Sequence, residues 1–297
     1  MADAIRVGRR SIPISNRNKV LFPDDGITKG DLIEYYVAIA PRMLPHVRNR
    51  PLTLERYPDG LAGERIMQKN ASKYFPDWIP RAELPKKDGV VMHVVANDAA
   101  TLAYLANQAS ITQHAVLSTT AHPFQPDVMI IDLDPSIDDF SAVRDTALLF
   151  RSLLEELGLV PFVKTTGSKG LHVVVPIRPT FTFEVVHEVA ARVAKRAVEQ
   201  QPDLLTTEFM KKNRGDRIFI DVHRNAYAQT AVAPYSVRPR PGVPVAAPVT
   251  WEEVADQSLK PDGFSMRAAL ERPDHWRTFR SSTRALGKAI KALGVQP

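Results

Sequence analysis

Behind a Thr-Lys-Gly-Asp start at Thr28, the residues Leu32, Tyr35, Tyr36, Ile39 and Leu44 recur at roughly helical spacing, which predicts a helix lying on a core as far as Val47. Pro51 to Tyr57 and Gly89 to Val95 have alternating or β-branched character and predict strands, whereas Ala99 to Ser110 is helix-like. The first third therefore mixes α and β. From Asp127 the pattern sharpens. VMIIDLD predicts a buried strand, Phe140 to Leu157 a helix with Leu148, Leu149, Leu153 and Leu154 on its apolar side, and Val160 to Lys164 a second strand, a βαβ-like arrangement. After a turn at Thr166 to Gly170 come the strand LHVVVPI, an amphipathic helix around Val185 to Glu199, and the strand Arg217 to Val222. Val237 to Pro248 is proline-rich and without period, so it reads as an extended strap that continues neither helix nor strand. The last 47 residues hold Trp251, Trp276 and a basic tail, Arg277 to Lys291, patterned as an amphipathic helix or a solvated arm.

A length of 297 residues with 44% hydrophobic content allows one large domain or two small ones around a sizeable core. The 39 Lys and Arg exceed the 33 Asp and Glu by a net +6, which favours a polyanionic partner such as nucleic acid, weakly because the excess is spread over a large surface. Cysteine is absent, which removes disulfides, thiol nucleophiles and cysteine-based zinc sites. Met1 to Arg10 lacks the apolar run of a secretory signal, and no apolar segment approaches the length of a membrane span. The expectation is a cytoplasmic, nucleoid-associated protein without a membrane partner.

Candidate chemistry begins with IIDLDP. Asp132 and Asp134 stand two apart in a strand, so both point to one face while Ile131 and Leu133 point to the other. Paired carboxylates on one face invite a hard divalent cation, and Asp221, near the end of the apolar strand RIFIDV, is the candidate third acid. The plainer reading, in which these aspartates cap turns or pair with arginines, stays open. In KTTGSKGLHVVV, Thr166, Ser168, Lys169 and backbone amides form a candidate phosphate cradle. It lacks Walker A spacing and leads into a strand, which excludes a P-loop; taken alone it is equally a simple turn. His172 and His114 suit phosphate or sugar contacts, or hydrogen-bonded structure. Arg224, Arg238 and Arg240 follow the third acidic strand and suit triphosphate or DNA backbone, and Lys19 and Lys29, flanking Phe22-Pro23, suit phosphate; surface solvation is the default for each.

The combination is more specific than its parts. DLDP, KTTGSKGLHVVVP, FIDVHRN and TAVAPYSVRPRPGVPVAAPVTWEEV, in that order, resemble the polymerase domain of bacterial ATP-dependent DNA ligase D and its stand-alone relatives, with further agreement in NRNKVLFP, TKGDLIEYY and RPLTLERYPDG. The resemblance covers nearly the whole chain. It implies an α+β archaeo-eukaryotic primase/polymerase core with mixed sheets flanked by helices. The expected layout is a single primase-polymerase domain over 1–297: an N-terminal α/β part with a 5′-phosphate pocket (1–125), a catalytic core (126–250) and a helical or basic extension (251–297).

The resemblance further implies Mn²⁺ (or Mg²⁺) held by Asp132, Asp134 and Asp221 as catalytic acids, and nucleoside triphosphates bound by His114, Thr166, Lys169, His172, Arg224 and Arg238. Asn16, Lys19 and Lys29 match the pocket for a downstream 5′-phosphate, and Arg56, Lys69 and Arg214 are further DNA contacts. The implied partners are gapped or broken double-stranded DNA with a 5′-phosphate, NTP or dNTP, and a separate DNA ligase, since no stretch outside the polymerase-like region is long enough for one. Ribonucleotides are the implied preference. Five positions depart from the pattern: Thr166 replaces serine, Arg224 replaces a common glutamine and implies a stronger hold on the triphosphate, Glu55 stands where a lysine often meets phosphate, and Ile66 and Met67 stand where relatives carry template-stacking aromatics. Two other classes remain: a haloacid dehalogenase-type phosphatase, whose Asp-x-Asp normally lies in the first strand, and a catalytically idle DNA-binding module of a repair complex.

Overall fold

The computed structural model describes residues 3–137 and 139–297. In chain order its first strands and helices are β1 (Ala4–Val7), β2 (Arg10–Pro13), β3 (Val20–Phe22), β4 (Ile27–Thr28), α1 (Lys29–Val47), β5 (Pro51–Arg56), β6 (Ile66–Gln68), β7 (Arg81–Lys86), β8 (Gly89–Val95), α2 (Ala99–Asn107) and β9 (Ser110–Val116). There follow β10 (Val128–Asp134), α3 (Phe140–Glu156), β11 (Phe162–Thr165), β12 (Leu171–Pro176), α4 (Phe183–Gln200), β13 (Leu205–Thr206) and β14 (Ile218–Asp221). The last are β15 (Thr230–Val232), β16 (Pro248–Val249), α5 (Trp251–Ala255), α6 (Met266–Glu271) and α7 (Gly287–Leu293). They form two compact units: the first runs to Ala121 and takes in Thr230–Ala246 and Phe264–Pro273, while the second holds His122–Gln229, Ala247–Gly263 and Asp274–Pro297.

In the first unit Thr28 starts α1 with a capping box: its hydroxyl accepts from the Asp31 amide at 3.2 Å, and the Asp31 carboxylate accepts from the Thr28 amide at 2.8 Å. The predicted helical stripe is real, and Leu32, Tyr36, Ile39 and Met43 are fully buried. The sheet beside it has the order β15-β9-β5-β8-β7, with β6 added on β5. The strap that follows β15 is not free of β structure, because Val237 and Val245 bridge antiparallel and Pro244 bridges Ser265. Val237, Val245 and Ala246 are wholly buried, and the Tyr36 hydroxyl accepts from the Val237 amide, so the two ends of the strap are core while Arg240, Pro241 and Gly242 between them are exposed.

The second unit's sheet has the order β13-β14-β10-β12-β11-β16. β10 and β11 each pair antiparallel with β12, so they run parallel to one another with β12 inserted between them. The expected βαβ arrangement is thus a split one, because the short turn after β11 returns the chain as a hairpin strand. Helices α3 and α4 touch each other and β10. The buried stripe of α3 is Val143, Ala147, Phe150, Leu153 and Leu154, whereas Leu148 and Leu149 are only half-buried. Pro248, expected to end regular structure, pairs with Lys164 across β16 and β11; at an edge strand a missing N–H costs no ladder bond. The basic tail is neither a long helix nor an arm. It holds a short 3-10 turn at Arg280–Ser282 and the helix Gly287–Leu293, and Phe279, Leu286, Ala289 and Ile290 are buried. Trp276 anchors the tail: it stacks on Phe279 at 4.9 Å between centroids, and its Nε1–H donates to the Val163 carbonyl at 3.1 Å.

Candidate functional site

Four neighbouring strands of the second unit carry one polar row. Lys164 stands opposite His172, His172 opposite Asp132, and Asp132 opposite Asp221. Directly opposed residues share a face of the sheet, and Asp134, two along β10, joins them. Asp132 is the centre of the row: His172 Nε2 lies 3.3 Å from its Oδ1 and Arg224 Nε lies 3.5 Å from its Oδ2. Burial would raise its pKa, but His172, Arg224 and Lys164 together outweigh burial and hold it at about 2. His172 is itself pushed down to about 4 by burial and the Lys164 charge, against the pull of Asp132. At neutral pH the imidazole is therefore uncharged and supports Asp132 through an Nε2–H hydrogen bond.

Burial and the charge of Asp132 raise the pKa of Asp134, Asp221 adding to the rise and Arg214 and Lys211 opposing it. Negative charge is thus crowded at this end of β10. Arg224 Nε also lies 3.8 Å from Asp221 Oδ2, so one guanidinium nitrogen stands between two of the three acids. Asn225 sets that position. Its side chain donates to the carbonyls of Ile130 at 2.7 Å and Val222 at 2.8 Å and accepts from the Ile130 amide at 2.8 Å, fastening the turn that bears Arg224 to β10. Arg214 packs its guanidinium 3.7 Å above the Phe219 ring, donates to the carbonyls of Glu208 and Phe209, and comes within 3.8 Å of Asp134.

Between β11 and β12, the Thr166 hydroxyl donates to the Gly170 carbonyl at 3.0 Å and accepts from the Gly170 amide at 3.2 Å, closing the turn with Lys169 exposed at its tip. Gly170 is dictated by space: a Cβ there would stand 2.0 Å from the Leu133 carbonyl oxygen, which lies between the two aspartates of β10. Among the described residues no group of three His, Asp or Glu side chains stands ready-made around a single metal position. The donors are nonetheless all carboxylate oxygens with a cationic nitrogen between two of them, a set whose chemistry fits a hard divalent cation once Arg224 gives way.

The first unit carries two further clusters. Asn16, with a left-handed backbone at φ 50°, starts a turn in which its carbonyl accepts from the Lys19 amide at 3.0 Å, and the Lys19 carbonyl accepts from the Lys29 amide at 2.8 Å. Lys29 Nζ donates to the Ser15 hydroxyl at 3.0 Å, Lys19 Nζ pairs with Asp59 at 2.8 Å, and burial followed by the Lys19 charge lowers the Lys29 pKa. Two cations are thus crowded together here, one of them paired with a carboxylate. The second cluster centres on Glu55, which lies 2.7 Å from Arg65 Nε and 3.1 Å from His114 Nε2.

The family described as LigD, primase-polymerase domain, matches residues 28–278. The chain belongs to that family. It is 34% identical over 252 residues to the multifunctional non-homologous end joining protein LigD of Mycolicibacterium smegmatis, covering 84% of this chain and 33% of that protein. Against the bifunctional non-homologous end joining protein LigD of Bacillus subtilis it is 33% identical over 263 residues, covering 88% and 42%. The polymerase domain from Mycobacterium tuberculosis ligase D, solved in complex with DNA, matches with a TM-score of 0.86 at 31% identity over 91% of this chain and 98% of that one. The chain spans about a third of the length of the mycobacterial relatives. The expected mixed α and β primase-polymerase architecture is confirmed, and the LigD primase-polymerase domain is a nucleotidyltransferase of metal-dependent type.

Within this LigD-type domain, Asp132, Asp134, Asp221, His172, Arg224 and Arg214 come together, with Lys169 and Thr166 on the adjoining turn. His114, Arg238, Asn16, Lys19, Lys29, Arg56 and Lys69 belong to the first unit. Lys69 is exposed, whereas Arg56 spends its donors on Gln68, Tyr74 and the Gln108 carbonyl. Sequence reasoning missed Lys164, Asn225 and the partners of Glu55. A lysine inside the apolar run FVKT was the available signal for Lys164, since such a residue is rarely buried without a task.

Proposed function

We propose that this LigD-type domain adds nucleotides, preferentially ribonucleotides, to a DNA primer at short gaps or broken ends, with a 5′-phosphate on the downstream strand as its guide. The observation that carries the reading is the row of opposed polar residues that sets Asp132 against Asp221, with Asp134 beside them, on one sheet face. Asp132, Asp134 and Asp221 would hold Mn²⁺ or Mg²⁺, which when bound favours ionisation of the primer 3′-hydroxyl and offsets charge on the departing pyrophosphate. His172 keeps Asp132 ionised and oriented by its hydrogen bond. Lys169, Thr166, Arg224, His114 and Arg238 bind and align the triphosphate, and Asn16, Lys19 and Lys29 grip the 5′-phosphate, so rate follows from positioning. The relatives' names support a place in non-homologous end joining. Excision repair shares the same gapped intermediate, and either route needs a DNA ligase to seal the product.

The test is primer extension across a short gap, with and without the downstream 5′-phosphate, comparing ribo- and deoxynucleotides in Mn²⁺. Phosphate-stimulated filling that favours ribonucleotides is the expected result. Asp134→Ala is expected to abolish synthesis while binding to gapped DNA persists. Extension by that variant at the normal rate refutes the role of the acids, and release of phosphate from small phosphoesters without extension would favour the phosphatase reading.

A further inference from the structure

Glu55 has no part in the chemistry assigned above, yet it is a carboxylate only 3% exposed. On β5 it stands opposite Thr112 of β9, which places His114, two residues further along, on the same face. One oxygen receives the His114 Nε2–H at 3.1 Å; the other meets Arg65 Nε at 2.7 Å and the Tyr57 hydroxyl at 3.3 Å. The Arg238 charge also helps hold the carboxyl at about 2, against burial, which opposes that shift. An ionised carboxylate buried without such partners is costly, so the cluster stands or falls together. Glu55 itself repels a triphosphate, so any service to one must pass through the groups it gathers. Two of these, His114 and Arg238, are nucleotide contacts in the function proposed above.

We propose that Glu55 is a positioning residue for the incoming nucleotide, its carboxylate fixing the His114 ring by the Nε2–H bond and drawing Arg65 and Arg238 into one ordered cationic wall. The proposal rests on the nucleotide-binding roles of His114 and Arg238 and extends the site to two further residues, Glu55 and Arg65.

The experiment compares wild type, Glu55→Gln, Glu55→Asp, His114→Ala and the Glu55→Gln/His114→Ala pair. Nucleotide KM and kcat are read in gap filling, and affinity for a non-hydrolysable ribonucleoside triphosphate is read by direct titration. Glu55→Gln is expected to weaken nucleotide affinity about tenfold, raising KM more than it lowers kcat, and Glu55→Asp to recover most of the loss. In the His114→Ala background the same change is expected to add less than about twofold, because both act through one ring. Additive losses, or a Glu55→Gln variant that melts earlier but binds the triphosphate normally, overturn the proposal and leave a structural clamp. A wild type that binds triphosphate but extends no primer overturns the proposed polymerase and leaves the titration to judge Glu55. One that binds no triphosphate overturns both.

Discussion

Replacing Arg224 by glutamine removes a cationic nitrogen lying between two acids of the row. Arg224 Nε stands 3.5 Å from Asp132 and 3.8 Å from Asp221. With the screening of bulk water, unit charges at such distances attract by about 1 kcal/mol each. The Arg224 side chain is 42% exposed, so the fully screened figure is the appropriate one. A divalent cation entering between Asp132 and Asp221 must displace both contacts, roughly 2 kcal/mol, part of which the arginine recovers in solvent. Glutamine, being neutral, poses no such barrier, and Mn²⁺ affinity is expected to rise by about 5- to 30-fold, the equivalent of 1 to 2 kcal/mol. Free Mn²⁺ is measured directly by electron paramagnetic resonance during titration of metal-free protein, without nucleotide or DNA. Unchanged or weaker Mn²⁺ binding refutes the reasoning. A parallel titration with triphosphate separates the second role of Arg224: if the guanidinium also grips the nucleotide, the same variant binds metal more tightly and triphosphate more weakly.

Gly170→Ala drives a Cβ to within 2.0 Å of the Leu133 carbonyl; β10 must shift between its two aspartates, and synthesis is expected to fall more than about tenfold with a stability loss of about 1–3 kcal/mol, so a variant of wild-type activity in primer extension contradicts the packing. Trp276→Ala removes a ring that is 2% exposed and stacked on Phe279; urea unfolding is expected to show a loss of about 3–5 kcal/mol, and a change under about 1 kcal/mol would return the tail to the surface. Glu55 is more acidic folded, at about 2, than the usual 4.5, so the stability it adds is complete above pH 4.5 and drains away as pH falls toward 2. The full shift corresponds to about 3 kcal/mol, trimmed to about 1–2 because Arg65 is 55% exposed. Urea midpoints from pH 7 to pH 3 are expected to fall less in Glu55→Gln than in wild type, and parallel curves count against the buried ion cluster.

The sequence was most readable where one signal decided the local structure. Thr28 with Asp31 marked the start of α1 to the residue, and the apolar runs 128–131 of β10 and 173–176 of β12 left no rival to a buried strand. β9 was not readable, since its core-facing Thr112 and Gln113 are polar and become core only by bonding to Ser110, Ser236 and the Val237 carbonyl, partners far along the chain for the most part. The hairpin of β1 and β2 was hidden because each strand is only four residues long, too short for its alternation to stand out from the flanking polar residues. At the acid row, two-residue spacing placed Asp132 and Asp134 on one face, but no local pattern reveals which residue of another strand lies opposite. His172 and Asp221 against Asp132, and Lys164 against His172, are matters of register. The cluster around Glu55 is of the same kind, assembled from four stretches of chain.

The first unit borrows its edge strand from late in the chain, and this bears on how the protein is made. When a ribosome has delivered Ala121, β9 is out but lacks β15, which follows about 110 residues later. At ordinary translation rates that interval lasts on the order of 10 s, during which β9 offers an open ladder to any passing strand. Neither unit is a continuous stretch of the gene, so truncation between them yields no self-sufficient fragment, and nascent chains halted before Thr230 are the species most in need of a chaperone.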